Sequence, residues 1–297
     1  MNIVRLCYLI DYSFLMLAHD MSILSKIYHI NILSLFRLKT RLYMNGQALR
    51  YSINMYKTAI ITGAGRGIGK ETALLLAKND LNIVVCSRTQ GEIDSVIKEI
   101  KKLKNNNNNN NNNNAIGVKC DVSNPLEVSQ LVQKTIDCFE GVDVLVNNAG
   151  IAFISKLIDT SEEQWDKTID INLKGTFLCT KAVLPLMLRK GSGVIINVSS
   201  GAGKMGFPNI SAYCASKFGM IGLTESLAWE VSDTNIIVMA ICPGEVNTRM
   251  QEDLDKDYYR ENKNKMLKPE QIAQRIVEMI FNNRHKYISG QSVIIDT

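Results

Sequence analysis

A run of glycines between a short apolar segment and a helix-forming segment constrains the fold of this chain more than any other feature. The run is Thr62-Gly63-Ala64-Gly65-Arg66-Gly67-Ile68-Gly69. Residues 57–61 have the β-branched composition of a buried parallel strand, and residues 70–78 have that of a helix. Glycines at such a junction allow a tight turn and let a pyrophosphate approach the free N–H groups of the helix. The run therefore predicts a dinucleotide-binding loop.

Two other interpretations of this loop compete with the first. A phosphate-binding loop of the Walker type needs Gly where Ala64 stands and Ser or Thr where Glu71 stands. The spacing of Gly63, Gly67 and Gly69 also differs from the usual Gly-x-Gly-x-x-Gly fingerprint. By itself, the loop leaves open a plain tight turn without a ligand.

The composition of the chain excludes several classes of function. A length of 297 residues with 46% hydrophobic composition suits one α/β domain. The formal charge is +5, but residues 1–56 alone hold six Lys or Arg and two Asp or Glu, so the remainder is nearly neutral and predicts no nucleic-acid partner. The seven cysteines are dispersed along the chain, which predicts no disulfide framework and a reducing compartment, the cytoplasm. Because the three histidines are isolated as well, no metal site is expected.

Residues 1–55 form a predicted N-terminal extension to the domain at residues 56–297. Their longest uncharged run, residues 27–36, is ten residues long, whereas a transmembrane helix needs about 20, so no transmembrane span is expected. Three interpretations of the extension stay open. It is a dispensable or untranslated leader with Met55 as the true start, a targeting segment, or a helix that packs or lies on a membrane surface.

Strands and helices alternate from residue 57 onward. The strands are predicted at residues 57–61, 82–86, 115–119, 142–146, 194–198, 236–241 and 292–295, and the helices at 70–78, 91–104, 126–139, 165–188, 212–231 and 269–281. Ten consecutive asparagines, residues 105–114, predict a disordered surface insertion. The repeated βα units predict an α/β fold: a single Rossmann-type, doubly wound parallel sheet of about seven strands with helices on both faces. A ligand would bind at the carboxyl ends of the strands.

The end of the second strand bears on the choice between NAD and NADP. An acidic residue about 20 positions after the glycines favours a free ribose 2′-hydroxyl, whereas arginine favours a 2′-phosphate. Here the residues are Ser87 and Arg88, with no acid from Asn82 to Gly91, and Arg66 could supply a second cation. NADP(H) is therefore the expected cofactor, although either arginine could instead be a solvated surface charge.

The pair Tyr213 and Lys217 points to acid/base chemistry. Residues four apart in a helix share a face, so the Lys217 ammonium is expected beside the Tyr213 phenol. A cation there would lower the pKa of the phenol from about 10 toward the range of an acid/base catalyst. For this pair alone, a coincidental surface Tyr and Lys remains the alternative.

Five spaced motifs together resemble the short-chain dehydrogenase/reductase family over residues 57–297. Besides the glycine loop and Tyr213-x-x-x-Lys217, they are Asn147-Asn148-Ala149-Gly150, Ser199-Ser200 and Pro243-Gly244-Glu245-Val246-Asn247-Thr248. By this resemblance Tyr213 would exchange the proton, and Ser200, rather than Ser199, would bind the substrate oxygen. Lys217 would hold the ribose hydroxyls and tune Tyr213, and Asn172 would position a relay water.

The resemblance also implies a set of cofactor contacts, with Asp121 at the adenine and Thr248 at the nicotinamide carboxamide. The full set is Thr62, Gly63, Gly65, Arg66, Gly67, Ile68, Gly69, Ser87, Arg88, Asp121, Val122, Asn148, Ala149, Gly150, Tyr213, Lys217, Pro243, Gly244, Val246 and Thr248.

The implied function is hydride transfer between NADP(H) and a small-molecule carbonyl or alcohol, with Tyr213 as general acid/base. The alternatives are a 3-oxoacyl-carrier-protein reductase of fatty-acid synthesis and a catalytically silent NADP-binding sensor or scaffold. Residues 249–268 would form a substrate lid, in which Tyr258 and Tyr259 either line the pocket or pack the lid. The family also pairs two long helices between subunits, which implies a homodimer or homotetramer.

Overall fold

The computed structural model describes residues 56–105, 114–282 and 286–296. The predicted extension, residues 1–55, and residues 106–113 of the asparagine tract lie outside the described residues. The first and last asparagines of the tract are described. Asn105 ends a helix, and the backbone N–H of Asn114 donates a 2.9 Å hydrogen bond to the side chain of Asn82. The insertion therefore connects a helix to the strand that follows it.

Seven strands form one parallel sheet. They are β1 Thr58–Thr62, β2 Asn82–Ser87, β3 Ala115–Lys119, β4 Val144–Asn147, β5 Ser192–Val198, β6 Asn235–Pro243 and β7 Ser292–Ile295. Their order in the sheet is β3-β2-β1-β4-β5-β6-β7, which confirms the Rossmann-type fold and the strand number expected from the sequence. The chain order reverses between β1 and β4, so the switch point lies there, at the ends of these two strands.

Helices cover both faces of the sheet. They are α1 Gly67–Lys78, α2 Gln90–Asn105, α3 Pro125–Phe139, α4 Glu162–Ile169, α5 Gly175–Lys190, α6 Ser211–Glu230, α7 Arg249–Leu254, α8 Lys256–Asn262 and α9 Pro269–Phe281. Strand β1 is buried along its whole length, and side chains that are neighbours along it enter different cores. Ile61 packs in one core with helices α1, α2 and α9, and Ile60 packs in the other with α3, α5 and α6.

The helix predicted at residues 165–188 is longer than expected and is interrupted. It begins at Glu162, where Ser161 and Gln164 form a capping box. A π-helical turn, Asp170–Lys174, separates α4 from α5. Side-chain composition does not reveal such a turn, because a π-turn differs from an α-helix only in which carbonyl accepts each N–H bond. Such π-turns often occur at functional sites. Asn172 lies at its centre.

By length and composition, the helical segment Glu162–Lys190, with its π-helical turn, could also cross a membrane. Its inner side packs on the sheet, however, where Val183 and Met187 are fully buried among residues of β4 and β5. This is the packing of a core helix in a globular domain, so the helix gives no reason to assign the chain to a membrane.

Candidate active site

A cavity of about 630 Å³ opens at the carboxyl ends of the central strands, beside the switch point. It is lined by most of the residues that the sequence predicted for cofactor binding and by Ser200, Tyr213 and Lys217. Four predicted residues lie behind its walls instead of lining it: Thr62, Gly65, Gly69 and Asn172. The fold therefore brings the five spaced motifs to one place, and these four residues shape the walls.

The glycine loop is held against the end of β4. The hydroxyl oxygen of Thr62 accepts hydrogen bonds from the backbone N–H groups of Asn148 and Ala149, at 3.0 and 3.1 Å. The Asn148 side chain donates back to the carbonyls of Thr62 and Gly63, at 2.9 and 3.1 Å. These four bonds fix the turn at the switch point, where the dinucleotide would bind.

Two glycines of the loop cannot be replaced without strain. Gly63 has a φ of +62°, in the left-handed region that favours glycine. A Cβ on Gly69 would lie 2.5 Å from the Gly63 carbonyl oxygen and 2.5 Å from the Asn148 side-chain nitrogen. The first turn of α1 is Gly67-Ile68-Gly69-Lys70, which carries no carboxylate, so its free N–H groups can receive an anion.

Opposite charges meet at the end of β2. Arg66 and Glu92 form a 2.9 Å ion pair, and Glu92 also lies 3.5 Å from the Ser87 hydroxyl. Arg88, on the same side of the cavity, has no hydrogen bond or ion pair with any residue that the structure describes. The expected second cation is thus present but already paired. Glu92 lies one residue beyond the acid-free stretch from Asn82 to Gly91, and only the fold brings it to the end of β2.

Asp121 lies where the adenine is expected. Burial would raise the pKa of its carboxyl group, but the pKa is lowered overall, because Ser123 donates two hydrogen bonds to it and the Arg88 charge adds to their effect. The bonds come from the Ser123 N–H and hydroxyl, at 3.0 and 2.7 Å. Asp121 is therefore ionised and rigidly held.

Tyr213 and Lys217 share a face of α6, as their spacing predicts. The Lys217 ammonium lies 5.5 Å from the centre of the Tyr213 ring and donates a 2.8 Å hydrogen bond to the Val198 carbonyl oxygen. Lys217 is buried, and desolvation lowers the pKa of its ammonium to about 8. A lysine that titrates near neutral pH is suited to proton exchange.

The pKa of Tyr213 differs from the sequence expectation. Desolvation raises it above the ordinary value, and the hydrogen bond with the Ser200 side chain reduces this rise without reversing it. The expected lowering of this pKa by Lys217 is not found, because burial and the Ser200 hydrogen bond are the main causes of the shift. A protonated phenol is the form that can donate a proton.

The two adjacent serines have different surroundings. The Ser199 hydroxyl is buried and donates a 3.0 Å hydrogen bond to the Lys217 carbonyl oxygen. Ser200 is partly exposed to the cavity, and its hydroxyl interacts with Tyr213 while accepting a 3.2 Å bond from the Ala202 N–H. Both serines line the cavity, and Ser200, rather than Ser199, is the one whose hydroxyl interacts with the Tyr213 phenol.

Asn172 acts on the cavity wall through its side chain. The side-chain oxygen accepts from the Ile151 N–H at 2.8 Å, and the side-chain nitrogen donates to the Ile151 carbonyl and the Ser216 hydroxyl, at 2.9 and 3.0 Å. All these bonds fix the segment after β4 against α6. Both hydrogens of the side-chain amide are used in this way, and the side-chain oxygen keeps a second lone pair that could accept a bond from a relay water.

The predicted lid at residues 249–268 consists of the two short helices α7 and α8. Neither Tyr258 nor Tyr259 lines the cavity. The Tyr258 hydroxyl donates to the Glu245 carboxylate at 3.0 Å, and the Tyr259 hydroxyl donates to the Asn247 side chain at 2.6 Å. The sequence left open whether these tyrosines line the pocket or pack the lid, and in the structure they pack the lid. The lid residues that line the cavity are Arg249, Met250, Gln251, Leu254 and Asp255.

Comparisons with known proteins identify the family of this chain. Residues 57–259 match the family model described as short chain dehydrogenase. The chain belongs to this family. Within the residues that the structure describes, no group of three or more His, Cys, Asp or Glu side chains could hold a metal ion.

The match to each of two curated relatives spans nearly the whole length of that relative. A 3-oxoacyl-[acyl-carrier-protein] reductase of Synechocystis sp. is 40% identical over 243 residues, which are 81% of this chain and 95% of the relative. The protein of the same name from Thermotoga maritima is 35% identical over 245 residues, 81% and 96% of the two chains. The crystal structure of levodione reductase matches with a TM-score of 0.74 at 28% identity, over 81% of this chain and 96% of that one.

The family and these relatives identify the reaction class. The protein is an oxidoreductase that interconverts a carbonyl group and the corresponding alcohol.

Proposed function

We propose that this short-chain dehydrogenase uses NADP(H) to reduce a carbonyl group of a small-molecule substrate, with Tyr213 as the proton donor. The observation that carries the proposal is the convergence of Ser200, Tyr213 and Lys217 on one cavity that also contains the glycine loop and Arg88. Family membership gives hydride chemistry, and this convergence says where on the chain it would take place.

The residues present suit a dinucleotide. The N-terminus of α1 and the close approach allowed by Gly69 would hold the pyrophosphate. Asp121 would contact the adenine, and Thr248 the carboxamide of the nicotinamide. Arg88 forms no ion pair among the described residues, although its charge acts on the Asp121 carboxylate, and it would hold a 2′-phosphate, which favours NADP(H) over NAD(H). When bound, the cofactor supplies the hydride.

The protein residues handle the proton and the developing charge. The Ser200 hydroxyl and the Tyr213 phenol would both hydrogen-bond the substrate oxygen, which orients the carbonyl. Tyr213 would then donate its proton as negative charge builds on that oxygen. Lys217, whose pKa of about 8 lies near neutrality, would stabilise the phenolate that remains and return a proton to it.

The direct test is an absorbance assay of cofactor consumption with a panel of ketones and 3-oxoacyl thioesters. We expect NADPH to be consumed with at least one carbonyl class, and NADH more slowly at equal concentration. A panel in which NADH is the faster reductant for every substrate would contradict the choice of cofactor. A protein that binds NADPH and reduces nothing would favour the catalytically silent sensor or scaffold.

A more specific candidate is reduction of 3-oxoacyl groups on a carrier protein. Its support is the set of relatives with that name, together with apolar cavity walls formed by Ile154, Phe207, Met250 and Leu254, which suit an acyl chain. If this is the function, a 3-oxoacyl group on its carrier protein should be reduced with a lower KM than the same group on a short thiol. Equal KM values would count against a carrier-protein substrate.

We also propose a homodimer or homotetramer in the cytoplasm. Large apolar side chains are exposed on α4, α5 and α6, among them Phe177, Phe218 and Trp229, the last 81% exposed. Such a surface is typical of a subunit interface. Of the six free cysteines that the structure describes, five are buried, which suits a reducing compartment. Light scattering with size-exclusion chromatography would test the assembly, and a monomer at micromolar concentration would contradict it.

A further inference from the structure

Glu92 lies in the corner of the cavity that would receive the adenosine ribose. Its Oε1 accepts a 2.9 Å hydrogen bond from Arg66 Nη1, and its Oε2 lies 3.5 Å from the Ser87 hydroxyl. A Cβ on Gly65 would lie 2.5 Å from the same Oε2, so the carboxylate presses against the glycine loop. Glu92 thus stands between the loop and the end of β2, the two segments that surround the ribose 2′ position in this kind of fold.

The charges in this corner favour different forms of the ribose. A carboxylate accepts a hydrogen bond from a free 2′-hydroxyl and repels a 2′-phosphate, whereas a guanidinium attracts the phosphate. Arg66 is engaged by Glu92, so its charge is partly offset, while Arg88 has no ion-pair partner among the described residues. The corner therefore combines Arg88, which forms no ion pair but whose charge acts on the Asp121 carboxylate, with Arg66, which is paired to Glu92.

We propose that Glu92 is a specificity-determining residue that weakens the preference for the 2′-phosphate and preserves binding of the free 2′-hydroxyl form. For a 2′-phosphate to bind both arginines, Arg66 must leave its 2.9 Å contact with Glu92. A free 2′-hydroxyl needs no such change, because the carboxylate can accept from it directly. The inference deepens the proposed use of a dinucleotide at this site and rests on it.

The substitution Glu92→Gln separates charge from shape. Glutamine keeps an oxygen that can accept a bond from Arg66, but it removes the repulsion and releases the Arg66 charge. We expect the affinity for a 2′-phosphorylated ribose to rise about fivefold and that for the unphosphorylated form to stay equal or fall, an effect of the size measured for one partly exposed charge pair. The difference in affinity between the wild type and Glu92→Gln should shrink at about 0.5 M salt, since salt screens partly exposed charges.

Glu99→Gln is a matched control. Glu99 lies on the same helix, α2, and forms a 2.8 Å ion pair with Lys70 from the first turn of α1. Like Glu92, it thus links α1 to α2 across a partly exposed pair, but it does not line the cavity. A general loss of packing between the two helices would affect both variants equally.

The test is isothermal titration calorimetry of the full chain with two probes, adenosine 2′,5′-bisphosphate and AMP. These fragments differ only by the phosphate at the 2′ position and carry no nicotinamide, so the readout is independent of turnover. A ratio of affinities for the bisphosphate over AMP that rises in Glu92→Gln and stays unchanged in Glu99→Gln supports the proposal. A ratio that is unchanged or falls in Glu92→Gln overturns it, as does an equal rise in both variants.

The same titration separates this proposal from the NADP preference. If the wild-type chain binds both fragments equally, the preference for NADP(H) is wrong, and the role of Glu92 is still judged by the change in the ratio on substitution. If the wild-type chain binds neither fragment, both proposals are overturned.

Discussion

The Lys217 ammonium is buried 5.5 Å from the centre of the Tyr213 ring, and its 2.8 Å hydrogen bond goes to the Val198 carbonyl oxygen. A buried cation with a single neutral acceptor costs stability, and desolvation lowers its pKa from 10.5 to about 8. The site therefore contains a group that is unfavourable for folding and well placed for chemistry.

This cost predicts that Lys217→Met is more stable than the wild type at pH 7 and is inactive. The unfolded chain keeps the lysine proton up to a pKa near 10.5, whereas the folded chain releases it near 8. Between these values the unfolded state binds more protons, so the stability of the wild type rises with pH. The pKa shift corresponds to a loss of folding stability of at most roughly 3 kcal/mol below pH 8. Thermal melts of both proteins at pH 7 and 9.5 should show the gap in Tm narrowing at the higher pH. A less stable methionine variant would contradict this.

Substitutions of the two adjacent serines should separate an effect on catalysis from an effect on stability. Ser200→Ala is expected to lower kcat by about 10²-fold, the loss seen when one donor to a developing oxyanion is removed. Ser199→Ala should cost about 1 kcal/mol of stability, because it removes the buried hydrogen bond to the Lys217 carbonyl, and should leave more activity. Steady-state kinetics and chemical denaturation of both variants check this. A larger kcat loss in Ser199→Ala would reverse the assignment.

Gly69→Ala should impair cofactor binding without a general loss of folding elsewhere. The added methyl would lie 2.5 Å from the Gly63 carbonyl oxygen, so the loop must shift away from the pyrophosphate position. Gly141→Ala is the matched control, since a Cβ there meets nothing within 4 Å. Fluorescence titration with NADPH should show an affinity at least about tenfold weaker for Gly69→Ala and an unchanged affinity for Gly141→Ala. The tenfold change corresponds to a loss of about 1.4 kcal/mol in binding free energy. Equal affinities in the two variants would contradict the account of the loop.

Arg88→Ala should reduce the affinity for NADPH and leave that for NADH nearly unchanged. The guanidinium would bind the 2′-phosphate, and charge-assisted bonds of this kind contribute about 1.5–3 kcal/mol, or about 10- to 100-fold in affinity. Titration with both cofactors, followed by fluorescence, measures the change. A parallel loss for NADPH and NADH would mean that Arg88 acts on the shape of the pocket instead.

The sequence was sufficient for the fold and for most of the site because both depend on local patterns. The strand at Ala115–Lys119, the helix at Pro269–Phe281 and the strand at Ser292–Ile295 have the predicted bounds. Apolar runs in parallel strands and glycines at strand ends are legible without knowledge of tertiary contacts. The same is true of the four-residue spacing of Tyr213 and Lys217.

Features that depend on contacts between distant residues could not be predicted. The π-helical turn at Asp170–Lys174 is set by hydrogen-bond register and leaves no compositional signal. The Arg66–Glu92 pair joins residues 26 positions apart, and only the fold shows that the cation is already engaged. The raised pKa of Tyr213 depends on burial, which residue spacing does not report.

The most direct test of the account is a parallel measurement of NADPH binding and carbonyl reduction on Tyr213→Phe. The phenylalanine keeps the ring beside Lys217 and removes the one proton that the mechanism uses. We predict that NADPH affinity stays within about twofold, and that kcat falls by about 10²- to 10⁴-fold, the usual contribution of a general acid. Substantial reductase activity in Tyr213→Phe, with NADPH bound as in the wild type, would contradict Tyr213 as the proton donor.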